Sequence, residues 1–194
     1  MAGRQSPDVT WHSGRVERKQ RASTGATVWF TGLPSSGKSS IAALVEERLV
    51  EAGRPAYRLD GDNLRHGLNG DLGFSAEDRS ENMRRAGEVA ALFADAGVVA
   101  LVALVSPFAA DRETARAAHR RAGLAFAEAY VSTPPEECER RDPKGMWARA
   151  RAGEITGFTG VDDPYDPPAA PELTLGPELS LEAAAEEVLR WIRR

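Results

Sequence analysis

Gly32-Leu33-Pro34-Ser35-Ser36-Gly37-Lys38-Ser39 fits the pattern G-x-x-x-x-G-K-[ST]. It follows the apolar run Ala26-Thr27-Val28-Trp29-Phe30, and a helical pattern begins near Ser39. A strand, a tight glycine-bearing turn and a helix are the context this pattern needs. Glycines let the backbone turn so that successive N–H groups face a bound anion. The N-terminus of the next helix adds partial positive charge. Lys38 is placed to reach the β- and γ-phosphates of a nucleoside triphosphate, and the Ser39 hydroxyl to ligand Mg²⁺. Ser40 follows within the first helical turn.

Outward from this loop the chain alternates strand and helix signals. The helix after the loop runs to about residue 52, with Ile41, Leu44, Val45, Arg48 and Leu49 on one face and Gly53 as its stop. Ala56-Tyr57-Arg58-Leu59 reads as a strand that ends in Asp60-Gly61-Asp62-Asn63. The glycine- and asparagine-rich residues 64–73 read as loop or broken helix. Ser75-Ala76-Glu77-Asp78 opens a helix to about residue 96 as an N-cap with an acid three residues on. The unbroken apolar run 98–105 reads as a strand buried on both faces. A helix over 110–122, a strand over 127–131, short helices over 134–142 and 145–152, a long loop over 153–172, a strand at 173–175 and a helix capped by Ser180 complete the pattern. The fold class is therefore α/β: a P-loop nucleotide-kinase-type parallel five-stranded sheet flanked by helices. Residues 1–24 read as a polar, partly disordered N-terminal arm and 25–194 as one P-loop domain, with Trp11 and His12 the only hint that the arm docks.

Composition narrows the function classes. The chain of 194 residues has a formal net charge of −4, which argues against broad nucleic-acid binding. No apolar stretch is long enough to span a membrane, and the polar N-terminus lacks a secretory h-region. Cys138 is the single cysteine, so neither an internal disulfide nor a zinc cluster is available, and it reads as a small packing residue. The compartment reading is cytoplasmic.

In such sheets ligands bind beyond the carboxyl ends of the strands. The second strand delivers Asp60 and Asp62 there, and the third delivers Ser106 and Phe108. The most apolar strand ends without an acid, so Asp60 or Asp62 is the carboxylate for Mg²⁺-bound water or for the proton of an attacking hydroxyl. Turn chemistry alone explains one aspartate and the glycine, not both acids. Arg65, Arg79, Asn82 and Arg85 form a second constellation suited to phosphate, sulfate or carboxylate oxygens. The charge pattern equally allows an exposed face paired with Glu77, Asp78, Glu81 and Glu88. Phe74 and Phe158 are loop aromatics able to sandwich an adenine. Arg141, Lys144, Arg149 and Arg151 lie on a segment placed to fold over nucleotide as a lid.

Asp60-Gly61-Asp62-Asn63-Leu64-Arg65-His66-Gly67-Leu68-Asn69, Asp71-Leu72-Gly73-Phe74-Ser75, Ser106-Pro107-Phe108, Arg141-Asp142-Pro143-Lys144-Gly145 and Gly157-Phe158-Thr159-Gly160-Val161-Asp162-Asp163-Pro164-Tyr165 together resemble the adenylyl-sulfate kinase (APS kinase) family over about residues 29–175. The resemblance implies ATP-dependent, Mg²⁺-dependent phosphorylation of the 3′-hydroxyl of adenosine 5′-phosphosulfate (APS), and a homodimer. It implies Asp62, with Asp60 as alternate, as base or metal partner. It implies Arg65, Arg79 and Asn82 on the phosphosulfate, Phe74 and Phe158 about the adenine, and Lys144 lining that pocket. Ser106 matches the serine assigned in the family as a phosphorylated position. Direct in-line transfer needs only positioning and charge stabilisation, so Ser106 is read as lining the pocket. Pro34 and Ser35 stand where the family loop commonly has Ser and Gly, and Ser40 replaces Thr. No sulfurylase or GTPase domain is expected to be fused. The rival readings are a P-loop kinase for another small hydroxyl substrate, such as a nucleoside or sugar acid, and a non-catalytic nucleotide-binding module.

Overall fold

A computed structural model describes residues 9–10, 12 and 14–194. Trp11 therefore lies outside the described residues. The order of elements is β1 (Ala26–Thr31), α1 (Lys38–Glu51), β2 (Ala56–Asp60), α2 (Gly61–Arg65), α3 (Ala76–Asp95), β3 (Val99–Ala103), α4 (Ala109–Arg121), β4 (Ala125–Val131), α5 (Pro135–Arg141), α6 (Met146–Arg151), β5 (Leu173–Leu175) and α7 (Leu181–Ile192). The strands lie in the order β2-β3-β1-β4-β5, every pair parallel. β1 is the central strand, and all of it is buried.

The period-two rule splits β1 between two cores. Val28 and Phe30 pack with Ile41, Val45 and Leu49 of α1 and Val188 and Leu189 of α7. Trp29 packs on the other face with Met83, Ala86 and Ala90 of α3 and Ala115 of α4. Each fully buried large side chain contributes roughly 1.5–3 kcal/mol of transfer free energy. Helices on both faces thus explain why β3 reads as a continuous apolar run. Ser75 caps α3 by accepting from the Asp78 N–H, as its sequence indicates. α2 forms over the acid–glycine–acid stretch read as the end of the second strand and runs two residues into the stretch read as loop or broken helix, because the Asp60 side chain accepts from the Asp62 N–H and starts a short turn.

Among the described residues of the arm, Arg18 and Ser23 are fastened to the domain. Arg18 pairs with Asp95 at 2.5 Å and donates to the carbonyls of Ala122 (2.6 Å) and Gly123 (3.2 Å). A cation at the end of α4 meets the negative end of the helix dipole. The Ser23 hydroxyl donates to the Gly97 carbonyl just before β3.

His119 is fully buried on α4. Its Nδ1–H donates to the Ala115 carbonyl and its Nε2 accepts from Thr27 Oγ1, both at 2.8 Å. Burial holds its pKa below the ordinary imidazole value of about 6.5. The unfolded chain therefore binds this proton more readily, and stability is lost as pH falls below about 6.5. Urea midpoints measured at several pH values should fall on acidification, and His119→Gln should lose part of that dependence. An identical pH profile for the two proteins would contradict the assignment.

Candidate functional site

The site is built on the carboxyl ends of β1, β2 and β3. Gly32 leaves β1 at φ 147°, and a Cβ there would meet the Val131 carbonyl oxygen at 2.5 Å. Only glycine fits so close to β4. Ser35 adopts φ 64°, a left-handed conformation at the position where the family loop commonly has glycine. Gly37, at φ 109°, is the N-cap of α1 and brings no side chain to it. The first N–H groups of α1 thus have no side-chain partner and face whatever anion the loop encloses.

The loop is braced from outside. Thr133 Oγ1 donates to the Ser36 carbonyl at 2.9 Å, and Trp147 Nε1 donates to the Pro34 carbonyl at 3.2 Å. Arg141 Nη1 donates to the Ser36 carbonyl at 3.3 Å and would lie 3.8 Å from a Cβ on Gly37. Leu33, Cys138 and Trp147 pack beneath, with Phe158 against them. Burial pushes the Cys138 thiol up to about 11, which keeps it a packing group.

Lys38 is buried, with its ammonium donating to the carbonyls of Leu33 (2.6 Å) and Gly32 (3.0 Å) and to Ser36 Oγ (3.2 Å). Burial brings its pKa down to about 8, against the opposing pull of Cys138 and Asp60. Ser39 and Ser40 are exposed on the first turn of α1.

The two aspartates have different surroundings. Asp60 accepts from the Asp62 N–H at 3.1 Å and from Arg58 Nη1 at 3.3 Å. Its side chain is 13% exposed, against 66% for Asp62, so Asp60 is held within the turn while Asp62 stands at the surface. Asp62 pairs with Lys144, which reaches it from the segment between α5 and α6. Among the described residues, no group of His, Cys, Asp and Glu could hold a metal by itself. The oxygen donors at hand, Ser39 and Asp62, suit a Mg²⁺ that arrives on a nucleotide and keeps most of its water.

The second constellation centres on Arg79 of α3. Nε donates to the Phe74 carbonyl at 3.0 Å, and Nη1 donates to Thr159 Oγ1 (3.0 Å) and Asp163 Oδ2 (2.7 Å). Nη2 donates to the Gly157 carbonyl. Arg79 therefore ties the segment bearing Phe74 to the loop bearing Phe158. The Asp162 carboxylate accepts from the N–H groups of Gly157 and Phe158, both at 2.7 Å, and shapes the same loop. Arg65 lies over the Phe74 ring at 4.2 Å and donates to the Gly73 carbonyl at 2.7 Å. Phe74 is 71% exposed, whereas Phe158 is half-buried and meets Trp147 edge-on at 5.3 Å. Asn82 is buried, its Oδ1 accepting from Asn69 Nδ2 at 2.8 Å.

The exposed-face alternative holds only for Arg85. It pairs with Glu81 at 2.8 Å and Asp71 at 2.7 Å.

Ser106 departs from expectation. It is fully buried at φ 48°, and its Oγ accepts from Trp29 Nε1 at 2.9 Å while donating to the Leu104 carbonyl at 3.3 Å. With no exposed surface, its hydroxyl is turned inward to Trp29 and Leu104 rather than toward the rim of the sheet.

Sequence reading missed a cavity of about 240 Å³ on the far side of the phosphate loop, bounded by Gly37, Ser40, Thr133, Arg141, Gly176 and Pro177. Gly176-Pro177 follows β5, so the strand-end rule already applied to β1–β3 was the available signal.

A family model described as adenylylsulphate kinase matches residues 24–176. The chain is 55% identical over 184 residues to the bifunctional enzyme CysN/CysC of Mycobacterium tuberculosis, covering 95% of this chain but 30% of that protein's length. It is 49% identical over 179 residues to the adenylyl-sulfate kinase of Clostridium acetobutylicum, covering 90% of this chain and 88% of that one. The structure of the M. tuberculosis APS kinase CysC in complex with AMPPNP and APS superposes with a TM-score of 0.87 at 56% identity, over 89% of this chain and 99% of that one.

Removing the carboxylate that holds Arg79 tests the loop. Asp163→Ala should destabilise the protein by about 1–3 kcal/mol, since it leaves a half-buried guanidinium short of a partner. Hydrogen exchange should rise over residues 157–163 and not in β1. Unchanged exchange in that loop would mean that Arg79 does not organise it.

Proposed function

The chain belongs to the adenylylsulphate kinase family, and on that premise we propose that it transfers the γ-phosphate of ATP to the 3′-hydroxyl of APS. The products are 3′-phosphoadenosine 5′-phosphosulfate and ADP. One observation carries the reading: a single rim of the sheet holds both a phosphate loop and a wall of arginine and aromatic side chains gathered at Arg79.

The residues take these roles. Main-chain N–H groups of 32–39 hold the phosphates, and Lys38 exchanges the carbonyls of Gly32 and Leu33 for β- and γ-phosphate oxygens. An anion beside Lys38 favours its charged form and restores the pKa that burial depresses. Arg141 covers the loop, and the cavity by Gly176 takes the base of ATP. Ser39 and Asp62 would hold Mg²⁺, which would supply charge neutralisation on the triphosphate.

The acceptor lies on the other side. Phe74 and Phe158 take its adenine. Arg65, Arg79 and the Nδ2 amide of Asn82 take its phosphosulfate, and Lys144 closes over it. Asp62 accepts the 3′-hydroxyl proton as the oxygen attacks the γ-phosphorus and the bond to the ADP oxygen breaks. Asp60 holds the turn that presents Asp62. Transfer is direct, with no phosphoserine at Ser106. Residues 25–194 form one domain carrying both sites. The assembly is a cytoplasmic homodimer, for which light scattering should give about twice the chain mass of 20.9 kDa.

The test is ADP release with ATP and Mg²⁺ against APS, AMP and gluconate. Turnover is expected with APS alone, and Asp62→Ala should reduce it by roughly 10²–10⁴-fold with an unchanged circular dichroism spectrum. Comparable turnover of AMP or gluconate would replace the acceptor assignment, and undiminished turnover by Asp62→Ala would remove the base.

A further inference from the structure

Arg112 lies on α4 and is 4% exposed. Its Nε donates to Glu128 Oε1 at 2.6 Å. Nη1 donates to the carbonyls of Ser106 at 2.7 Å and Pro107 at 3.2 Å, and Nη2 donates to the Asp166 carbonyl at 2.7 Å. An ion pair for stability alone needs only Glu128. The remaining donors bridge two segments that have no regular structure to align them: the turn after β3 and the loop between α6 and β5. The Asp166 N–H returns a bond of 2.8 Å to the Pro107 carbonyl, so the segments meet directly beside the guanidinium.

The turn at Ser106 needs such a clamp. A left-handed, non-glycine residue costs roughly 1–2 kcal/mol and persists only where its surroundings hold it. Its carbonyl takes Arg112 Nη1, and the Thr31 hydroxyl, which donates to the neighbouring Val105 carbonyl at 2.8 Å, lies 3.3 Å from it. Thr31 immediately precedes Gly32 and lies 2.9 Å from the Tyr165 hydroxyl. The Tyr165 ring lies 5.8 Å from the Arg112 guanidinium. One planar group thus sets the spacing of the turn at Ser106, the loop that carries Phe158 and, through Tyr165 and Thr31, the start of the phosphate loop.

We infer that Arg112 is a positioning residue for phosphoryl transfer: it fixes the register between the acceptor wall and the phosphate loop without touching either substrate. The inference rests on the APS kinase reading, so wild-type turnover of APS is measured first. Absence of turnover removes the acceptor and the inference with it. Arg112→Lys keeps a charge opposite Glu128 but loses the fork that spans the carbonyls. Its kcat/KM for APS should fall about 100-fold, as expected for a displacement of roughly 1 Å, while KM for ATP stays within about twofold. Tyr165→Phe removes only the hydroxyl on Thr31 and should shift the same parameter in the same direction, by about tenfold, at near wild-type Tm. It keeps the test open should Arg112→Lys fold poorly. Lower Tm with wild-type kinetics in Arg112→Lys, a comparable rise in its KM for ATP, or wild-type kinetics in Tyr165→Phe would each overturn the role.

Discussion

Everything in this molecule depends on the burial of β1. With no residue of the strand exposed, its backbone N–H and C=O groups have no water to turn to and must be paired on both edges. β3 and β4 supply that pairing in parallel register. Parallel neighbours require crossovers, and the crossovers place α1 and α7 on one face and α3 and α4 on the other. The chain then leaves β1 at Gly32, at a point with β3 on one side and β4 on the other. The same close packing that leaves no room for a Cβ there puts the phosphate loop at the head of the central strand.

Around this fixed point the site is assembled from segments that lack regular structure, and arginine does the joining. Arg79 gathers the carbonyls of Phe74 and Gly157 with the side chains of Thr159 and Asp163. Arg112 gathers Ser106, Pro107 and Asp166 against Glu128. Arg141 joins α5 to the phosphate loop. A rigid fork with several donors can satisfy carbonyls from distant parts of the chain at once, which a lysine cannot. The buried carbonyls that irregular loops would otherwise leave unpaired become the means of aligning them. Trp29 extends the principle into the core, since its ring packs beneath α3 while its indole N–H holds Ser106 in a left-handed turn.

The relation between the aspartates shows how local and tertiary effects divide. An acid–glycine–acid stretch after a strand marks a turn near a ligand, but it does not say which acid does what. The fold surrounds them differently: Arg58 and the Asp62 N–H meet Asp60, and Lys144 approaches Asp62 from a segment distant in sequence. The serine after β3 shows the reverse. By position it reads as a residue of the pocket, yet the Trp29 indole on the neighbouring strand draws its hydroxyl inward.

The alternation of apolar runs with helical periodicity, the glycine spacing of residues 32–39 and the turn signals at Asp60 and Gly97 determined the layered α/β sheet, the phosphate loop and the placement of ligands at one rim. Those features depend on local backbone preference and on periods of 2 and 3.6 residues, which a sequence carries explicitly. Only the tertiary structure decided that Arg18 reaches Asp95 and the end of α4, that Asp62 is more exposed than Asp60 and meets Lys144, that Ser106 is sealed in the core, and that Arg79 and Arg112 bind loops far from them along the chain. Each is a contact between residues remote in sequence, and a side chain with several donors chooses its partners by what the fold brings within about 3 Å, a distance that no spacing along the chain encodes.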